Sequence, residues 1–345
     1  MGLFRRKYAA SVVLVDIASD SVAGAYVRYE EGEKPALIYT RRVPIEVRED
    51  EAHERAMLRA LKILGDILIH EGAPALARVT GSGSIENIFV AIDAPWQETR
   101  VRTERFEQKE PFVFNRNIVA EILEKNAVEA GKLATDESII GTMLNGYETS
   151  DPYGKRAHRA TIVILTSLIE EKIARGIASV FRSLYHTRRI ATISSNSLRY
   201  QVLRARFPHE HDALVLDATK SYTSSVLIRK GLFVAVSEIG AGTEEESWVH
   251  AVKDEFADIA KQYPLPRTIL LLSRESDASV LRERLDSANL GSLWLSDNPP
   301  AVVPVLTSQF SDSVRHVTTA APDLSLLLMT LYWHQTLNKD EASSP

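Results

Sequence analysis

Cysteine is absent from the 345 residues, which removes thiolate nucleophiles, thiolate metal ligands and disulfides together. Chemistry must therefore come from oxygen and nitrogen groups. Pro208-His209-Glu210-His211-Asp212 puts imidazoles and carboxylates side by side, the donor types that zinc takes. Its histidines are only two apart and no further ligand cluster accompanies them, so the segment reads as a polar loop before a strand. Gly81-Ser82-Gly83-Ser84 has the content of a phosphate cradle but lacks the lysine and following helix of a P-loop, leaving a flexible connection. No serine stands in the Gly-x-Ser-x-Gly turn of a hydrolase. Arg182, Arg188, Arg189, Arg199, Arg204 and Arg206, with Tyr185 and Tyr200 nearby, read as a solvated helical face rather than a contact for an acidic partner or anionic membrane.

Local patterning sets out the elements that would position such groups. Residues 11–16 (SVVLVD) predict a buried strand, 23–29 (AGAYVRY) its hairpin partner and 35–43 (PALIYTRRV) a third strand. Met57, Leu58, Leu61, Leu64, Ile67 and Leu68 recur at helical steps within 50–71, a helix that Gly72-Ala73-Pro74 should end. Residues 87–93 (NIFVAID) predict another strand. From 96 to 114 the chain is charged and irregular in pattern. Residues 115–131 predict a helix, and 138–148 and 160–165 predict strands on either side of a turn at 150–154. Ser167 and Glu170 have capping-box spacing, predicting a helix from 167 with the stripe Leu168, Ile173, Ile177, Val180 and Leu184. A strand (IATIS), a helix through Leu203, and strands at 213–217 (ALVLD), 223–229 (TSSVLIR) and 232–238 (LFVAVSE) follow. The loop Gly240-Ala241-Gly242 leads into a helix to about 263, with Thr243 and Glu246 again at capping-box spacing. A strand at 268–273, a helix at 276–288 and a last helix at 323–337 behind Pro322 complete the pattern.

A buried strand ending in aspartate, a turn and two further strands occur at 11–43 and again at 213–238, which predicts an internally duplicated α/β fold. The segments VVLVDIASDSVAGAYV and ALVLDATKSYTSSVLI resemble the two phosphate-binding hairpins of the actin-like ATPase superfamily. The opening LFRRK before the first hairpin resembles type IV pilus assembly proteins of the PilM type. The resemblance implies an α/β, duplicated actin-like (ribonuclease H-like) fold, with a small α+β subdomain inserted where PilM and the cell-division protein FtsA carry theirs. It divides the chain into the first actin-like subdomain (1–95, returning at 189–212), the insertion (96–188), the second actin-like subdomain (213–337) and a polar tail (338–345).

In that superfamily the strand-end aspartate lies near the magnesium and phosphates of ATP, and a glycine two residues later lets turn amides approach the phosphates. By resemblance the nucleotide-binding positions are Asp16, Ala18 and Ser19 in the first turn, Asp217, Thr219 and Thr223 in the second hairpin, and Gly240 and Gly242 in the loop beyond it. Ala18 and Thr219 replace both turn glycines, and a side chain there narrows the space for a phosphate. Ala23 stands where the family often has Lys or Arg. Thr223 matches the family's threonine, and Ser19 still offers a hydroxyl. Glu244, Glu245 and Glu246 would oppose a phosphate at the following helix start. Residues 316–322 (HVTTAAP) show no glycine for an adenine to stack against. These departures imply a degenerate site with weak ATP and magnesium binding, no catalytic residues and no resident metal: a pseudo-ATPase rather than an enzyme.

The composition, 45% hydrophobic and 25% charged, is that of a globular protein, and 41 basic against 46 acidic residues provide no overall field for gripping nucleic acid. No run approaches the ~20 apolar residues that span a bilayer; 324–331 is too short and contains Ser325 and Thr330. A cytoplasmic location is expected, at the inner face of the cytoplasmic membrane through a partner. The resemblance implies that this partner is the cytoplasmic N-terminal peptide of a PilN-like inner-membrane protein, held in a groove between parts of 1–95 and 96–188, with self-association as a further expectation. An active, polymerising ATP-binding protein of the FtsA type is the alternative, favoured by Asp16, Asp217 and Thr223. Against it, the tail is polar where FtsA has an amphipathic membrane helix. The cytoplasmic domain of a type II secretion protein of the L class, and a sugar kinase, are weaker alternatives.

Overall fold

The residues described in the computed structural model are 9–124, 129–149, 151–185, 189–219, 221–240, 242–243, 247–294 and 299–342. The opening LFRRK, Arg188, Ala241, Glu244, Glu245 and Glu246 lie outside them, as does the end of the polar tail, 343–345. β1 (Ala9–Ile17), β2 (Ser21–Glu30) and β3 (Ala36–Pro44) form an antiparallel meander in which Asp16 faces Ala23 and Ala23 faces Arg42. β1 is apolar on both faces because both are covered. Val12 and Leu14 enter one core, and Val13, Val15 and Ile17 enter another. α1 (His53–Ile67) lays Met57, Leu61 and Leu64 on the second. Contrary to expectation, Gly72-Ala73-Pro74 does not end the helix. A π turn (Leu68–Gly72) carries it into α2 (Ala73–Thr80), where Pro74 occupies the first turn and needs no donor. At Gly72 an added Cβ would come within 2.5 Å of the Tyr26 ring, so the path over β2 requires glycine. β4 (Asn87–Ile92) then runs parallel to β1.

The charged stretch expected to be irregular is a strand of 17 residues, β5 (Gln97–Val113). It forms an edge of the inserted sheet, where charge suits an otherwise open strand. α3 (Arg116–Glu124), β6 (Lys132–Leu144), β7 (Tyr147–Glu148), β8 (Arg156–Glu170) and α4 (Glu171–Tyr185) complete the insertion, with strand order β5-β8-β6-β7. Ser167 therefore starts no helix. It is buried inside β8, its Oγ 3.3 Å from Thr99 Oγ1. Pairing of β5 with β8 from Gln97 opposite Ile169 to Val113 opposite Arg156 overrides the local capping signal. Phe112, Phe114, Ile122, Ile162 and Ile164 give the insertion its own core, while Ile140, Val163 and Leu165 join the core of the main body.

β9 (Ile190–Ser194) pairs with β4 and leads into α5 (Ser195–Arg206). The second half consists of β10 (Ala213–Asp217), β11 (Thr223–Arg229), β12 (Leu232–Ile239), α6 (Trp248–Ala260), β13 (Thr268–Leu272), α7 (Ala278–Ser287) and β14 (Ala301–Val305). Its order, β12-β11-β10-β13-β14, repeats β3-β2-β1-β4-β9, so the chain is a duplicated ribonuclease H-like α/β fold. The end of the chain then crosses back. β15 (Arg315–His316) pairs with β3, and α8 (Leu324–Ala342) packs on α5, β1 and β2, with Tyr29 Oη donating to the Thr330 carbonyl at 3.2 Å. One core holds Leu326–Met329 together with Leu14 from the first sheet and Val215 and Phe233 from the second. The insertion reaches the second half as well: at Gly141 of β6 an added Cβ would lie 2.1 Å from Leu232 Cδ2 of β12.

Candidate functional site

The duplicated topology brings the ends of β1 and β10 to the boundary between the halves. Asp16 is buried there and receives Arg42 Nη2 at 3.0 Å. Arg42 also binds Asp323 before α8 at 2.8 Å and donates to Ser21 Oγ at 2.8 Å. Because Asp16, Ala23 and Arg42 occupy one row across the meander, the guanidinium passes over the small Ala23 to reach the aspartate. Burial opposes the charge of Arg42, but Asp323 and Asp16 hold it above the ordinary range.

Asp217, also buried, is capped by its own turn. Thr219 donates its amide at 2.9 Å and its hydroxyl at 2.5 Å to Oδ1, while Arg199 Nε lies 2.7 Å from Oδ2. The same guanidinium reaches Asp93, just beyond β4, with Nη2 2.5 Å from Oδ2. Burial disfavours the Arg199 cation, yet Asp217 and Asp93, with Asp16 adding to them, keep it firmly protonated. Asn196, one turn earlier on α5, accepts from Ser224 Oγ at 3.1 Å and donates to Glu238 Oε1 at 3.1 Å. Glu238 stands at the accessible rim. Desolvation of its carboxyl, then Asp93 and Asp217, push it up to about 8 against the opposing pull of Asn196 and Arg199. The turns themselves meet where Ser221 Oγ donates to Asp20 Oδ2 at 3.0 Å. Asn196, Arg199, Asp217 and Ser224 line, with Tyr200, Val215 and Val226, a small void of about 10 Å³ beside Asp217.

The remaining positions read from sequence are distributed differently. Ala18 is buried, its amide bound to Ser21 and its carbonyl accepting from Trp96 Nε1 at 2.7 Å. Neither Ala18 nor Thr219 has positive φ, so both turns take shapes that do not require glycine. Thr223 Oγ1 accepts from the buried Trp248 Nε1 at 2.9 Å. Ser19 Oγ and Ser273 Oγ are buried without a hydrogen-bond partner among the described residues. Gly240 lies by Tyr222 of the second turn, and Gly242 is half-buried before Thr243, whose carbonyl accepts from Arg284. Asp212 is spent on the hairpin turn between β11 and β12, accepting from the Lys230 amide at 2.8 Å and pairing with Arg229 at 3.3 Å. Arg199, expected on a solvated face, is instead the most enclosed cation of the cleft, with its side chain 6% exposed. Sequence reasoning missed Asp93, Arg42, Asn196 and Glu238 too. A usable signal was that NIFVAID, like SVVLVD and ALVLD, is a buried strand ending in aspartate.

A cavity of about 1000 Å³ lies elsewhere, between the insertion and helices α5 and α8. Ile140 and Thr142 of β6, Tyr153, Tyr200 and Gln201 of α5, and Tyr332 of α8 are among its walls, and Glu148 and Arg204 form a 3.8 Å pair at its edge. Against 1–95 the insertion packs α4 on α1: at Gly176 an added Cβ would lie 2.9 Å from Leu58 Cδ1.

No protein-family model matches the chain, and no curated protein matches it. Among solved structures, a PilM–PilN type IV pilus biogenesis complex is similar at TM-score 0.56 and 14% identity, over 93% of this chain and 97% of that one. A Bacteroides thetaiotaomicron protein with an actin-like ATPase fold and unknown function aligns at TM-score 0.47 and 9% identity, over 93% and 96%. The cytoplasmic domain of EpsL, an inner-membrane component of the Vibrio cholerae type II secretion system, aligns at 0.42 and 9%, over 94% and 95%. The duplicated sheets and the PilM–PilN similarity across nearly the whole length establish that this chain has the actin-like ATPase fold.

Proposed function

We propose that the chain is a non-hydrolytic scaffold of a pilus or related envelope assembly, which holds the cytoplasmic N-terminal peptide of a PilN-like inner-membrane protein and has a degenerate nucleotide site. The observation that carries this reading is where the fold leaves room. About 1000 Å³ opens between the insertion and α5 and α8, whereas the carboxylates read as facing a nucleotide, Asp16 and Asp217, are taken up by Arg42 and Arg199.

A magnesium nucleotide fits these residues poorly. The carboxylates that would face the metal, Asp16 and Asp217, are paired with Arg42 and Arg199. The Thr219 hydroxyl is turned onto Asp217, and Thr223 serves Trp248. The buried hydroxyls of Ser19 and Ser273 are the observation that favours a retained weak nucleotide site, and they define the second reading. The cavity, by contrast, offers aromatic faces, amides and hydroxyls with its edge charges paired, a lining suited to an extended peptide. No described helix is long and apolar enough to cross a membrane, and in this reading the chain reaches the cytoplasmic face of the membrane through its partner.

The test is calorimetric titration of the chain with the N-terminal peptide of the PilN-like protein encoded by the same genome. Saturable binding is expected without nucleotide, weakened about tenfold or more by Tyr153→Ala or Tyr332→Ala. Absence of binding, or binding indifferent to both substitutions, would overturn the proposal.

A further inference from the structure

We infer that Arg199 is a built-in counter-cation that clamps the two halves of the fold shut, taking the place a bound cation would hold between them. The inference rests on the reading of the cleft above and is independent of the peptide partner. Arg199 and Asp93 belong to the first half and Asp217 to the second, so the 2.5 Å pair with Asp93 anchors one rigid guanidinium in its own half and the 2.7 Å pair with Asp217 crosses the boundary. All the participating side chains are at most 6% exposed, so water does not screen them. Uncovering the guanidinium by hinge opening would strand Asp217 on one side and the cation on the other, each losing its partner in a desolvated setting.

Neighbouring contacts close the same boundary at independent points. Asn196 ties α5 to Ser224 and Glu238 of the second sheet. Asp20 and Ser221 join the hairpin turns, and Leu232 fills the space over Gly141. A clamp made from side chains is always present, so closure in this protein is set by folding instead of by ligand concentration.

The test exploits the absence of cysteine. Val47→Cys in the first half and Val280→Cys on α7, positions 52% and 55% exposed, accept spin labels for distance measurement on the full chain. Without nucleotide the labelled parent is expected to give one narrow distance distribution, unchanged by millimolar ATP and magnesium. Arg199→Gln should shift the main distance to longer values and broaden it, with Arg199→Lys restoring part of the closed population. If Arg199→Gln does not accumulate folded, Asp217→Asn gives the same reading, since it keeps the side-chain shape and removes the second half's charge. A parent distribution that is broad without nucleotide, or variants whose distances superimpose on the parent, would overturn the clamp. Calorimetric heat from ATP binding with no change in distance would sink the degenerate-site reading and leave the clamp standing.

Discussion

Replacing Arg199 with Met keeps the length and apolar stem of the side chain but removes the charge on which Asp93 and Asp217 depend. Both carboxylates are almost fully desolvated, at 6% and 4% exposure, and Asp16 adds its own field. Leaving a buried charge uncompensated in this way costs about 3–5 kcal/mol. For a chain of this length that corresponds to a Tm lower by roughly 4–7 °C at pH 7. The deficit should also depend on pH with a defined sign. Without the guanidinium the stranded carboxylates have raised pKa values in the folded state, so the folded variant binds more protons than the unfolded chain and gains stability as pH falls from 7 towards 5. Urea unfolding of Arg199→Met, Asp217→Asn and the double variant measures both effects. The double variant should recover part of the loss, because only Asp93 then remains stranded. A cost below about 1 kcal/mol for Arg199→Met, or a cost that does not change with pH, would refute the claim that this ion pair is desolvated.

Glu238 yields a separate pH signature. Its carboxyl is raised to about 8, so its contribution to stability is complete below the ordinary carboxylate pKa and is lost as pH rises through 8. Thermal scans of the parent should fall relative to Glu238→Gln between pH 5 and 9, by under about 1 kcal/mol because the residue is accessible to solvent; a gap constant with pH contradicts this. Gly141→Val would drive a side chain into Leu232 Cδ2, which lies 2.1 Å from an added Cβ, at a cost of about 1–3 kcal/mol in urea unfolding. Leu232→Ala in the same chain should relieve part of that cost, and strict additivity of the two substitutions would show that the insertion does not bear on the second half there.

Sequence alone determined the elements whose cause is local. Continuous apolar runs ending in Asp16 and Asp217 specify strands buried on both faces, and their recurrence with a hairpin after each specifies the duplication, because side-chain patterning and turn chemistry act within a few residues. The same local signals misled wherever a distant strand competed with them. Ser167 and Glu170 match a helix cap, yet β8 continues through them because β5 and β6 flank it; the charged segment 97–113 becomes a strand because β8 supplies its ladder. Gly72 and Pro74 look like a stop, but the Tyr26 ring leaves the helix a path that only glycine can follow. Tertiary structure alone decided the cleft. Arg42 reaches Asp16 across the row opened by Ala23, and Arg199 draws Asp93 and Asp217 together from opposite halves. Ion pairs of this kind depend on desolvation and on the juxtaposition of distant segments, properties that no stretch of sequence possesses before the sheets are packed.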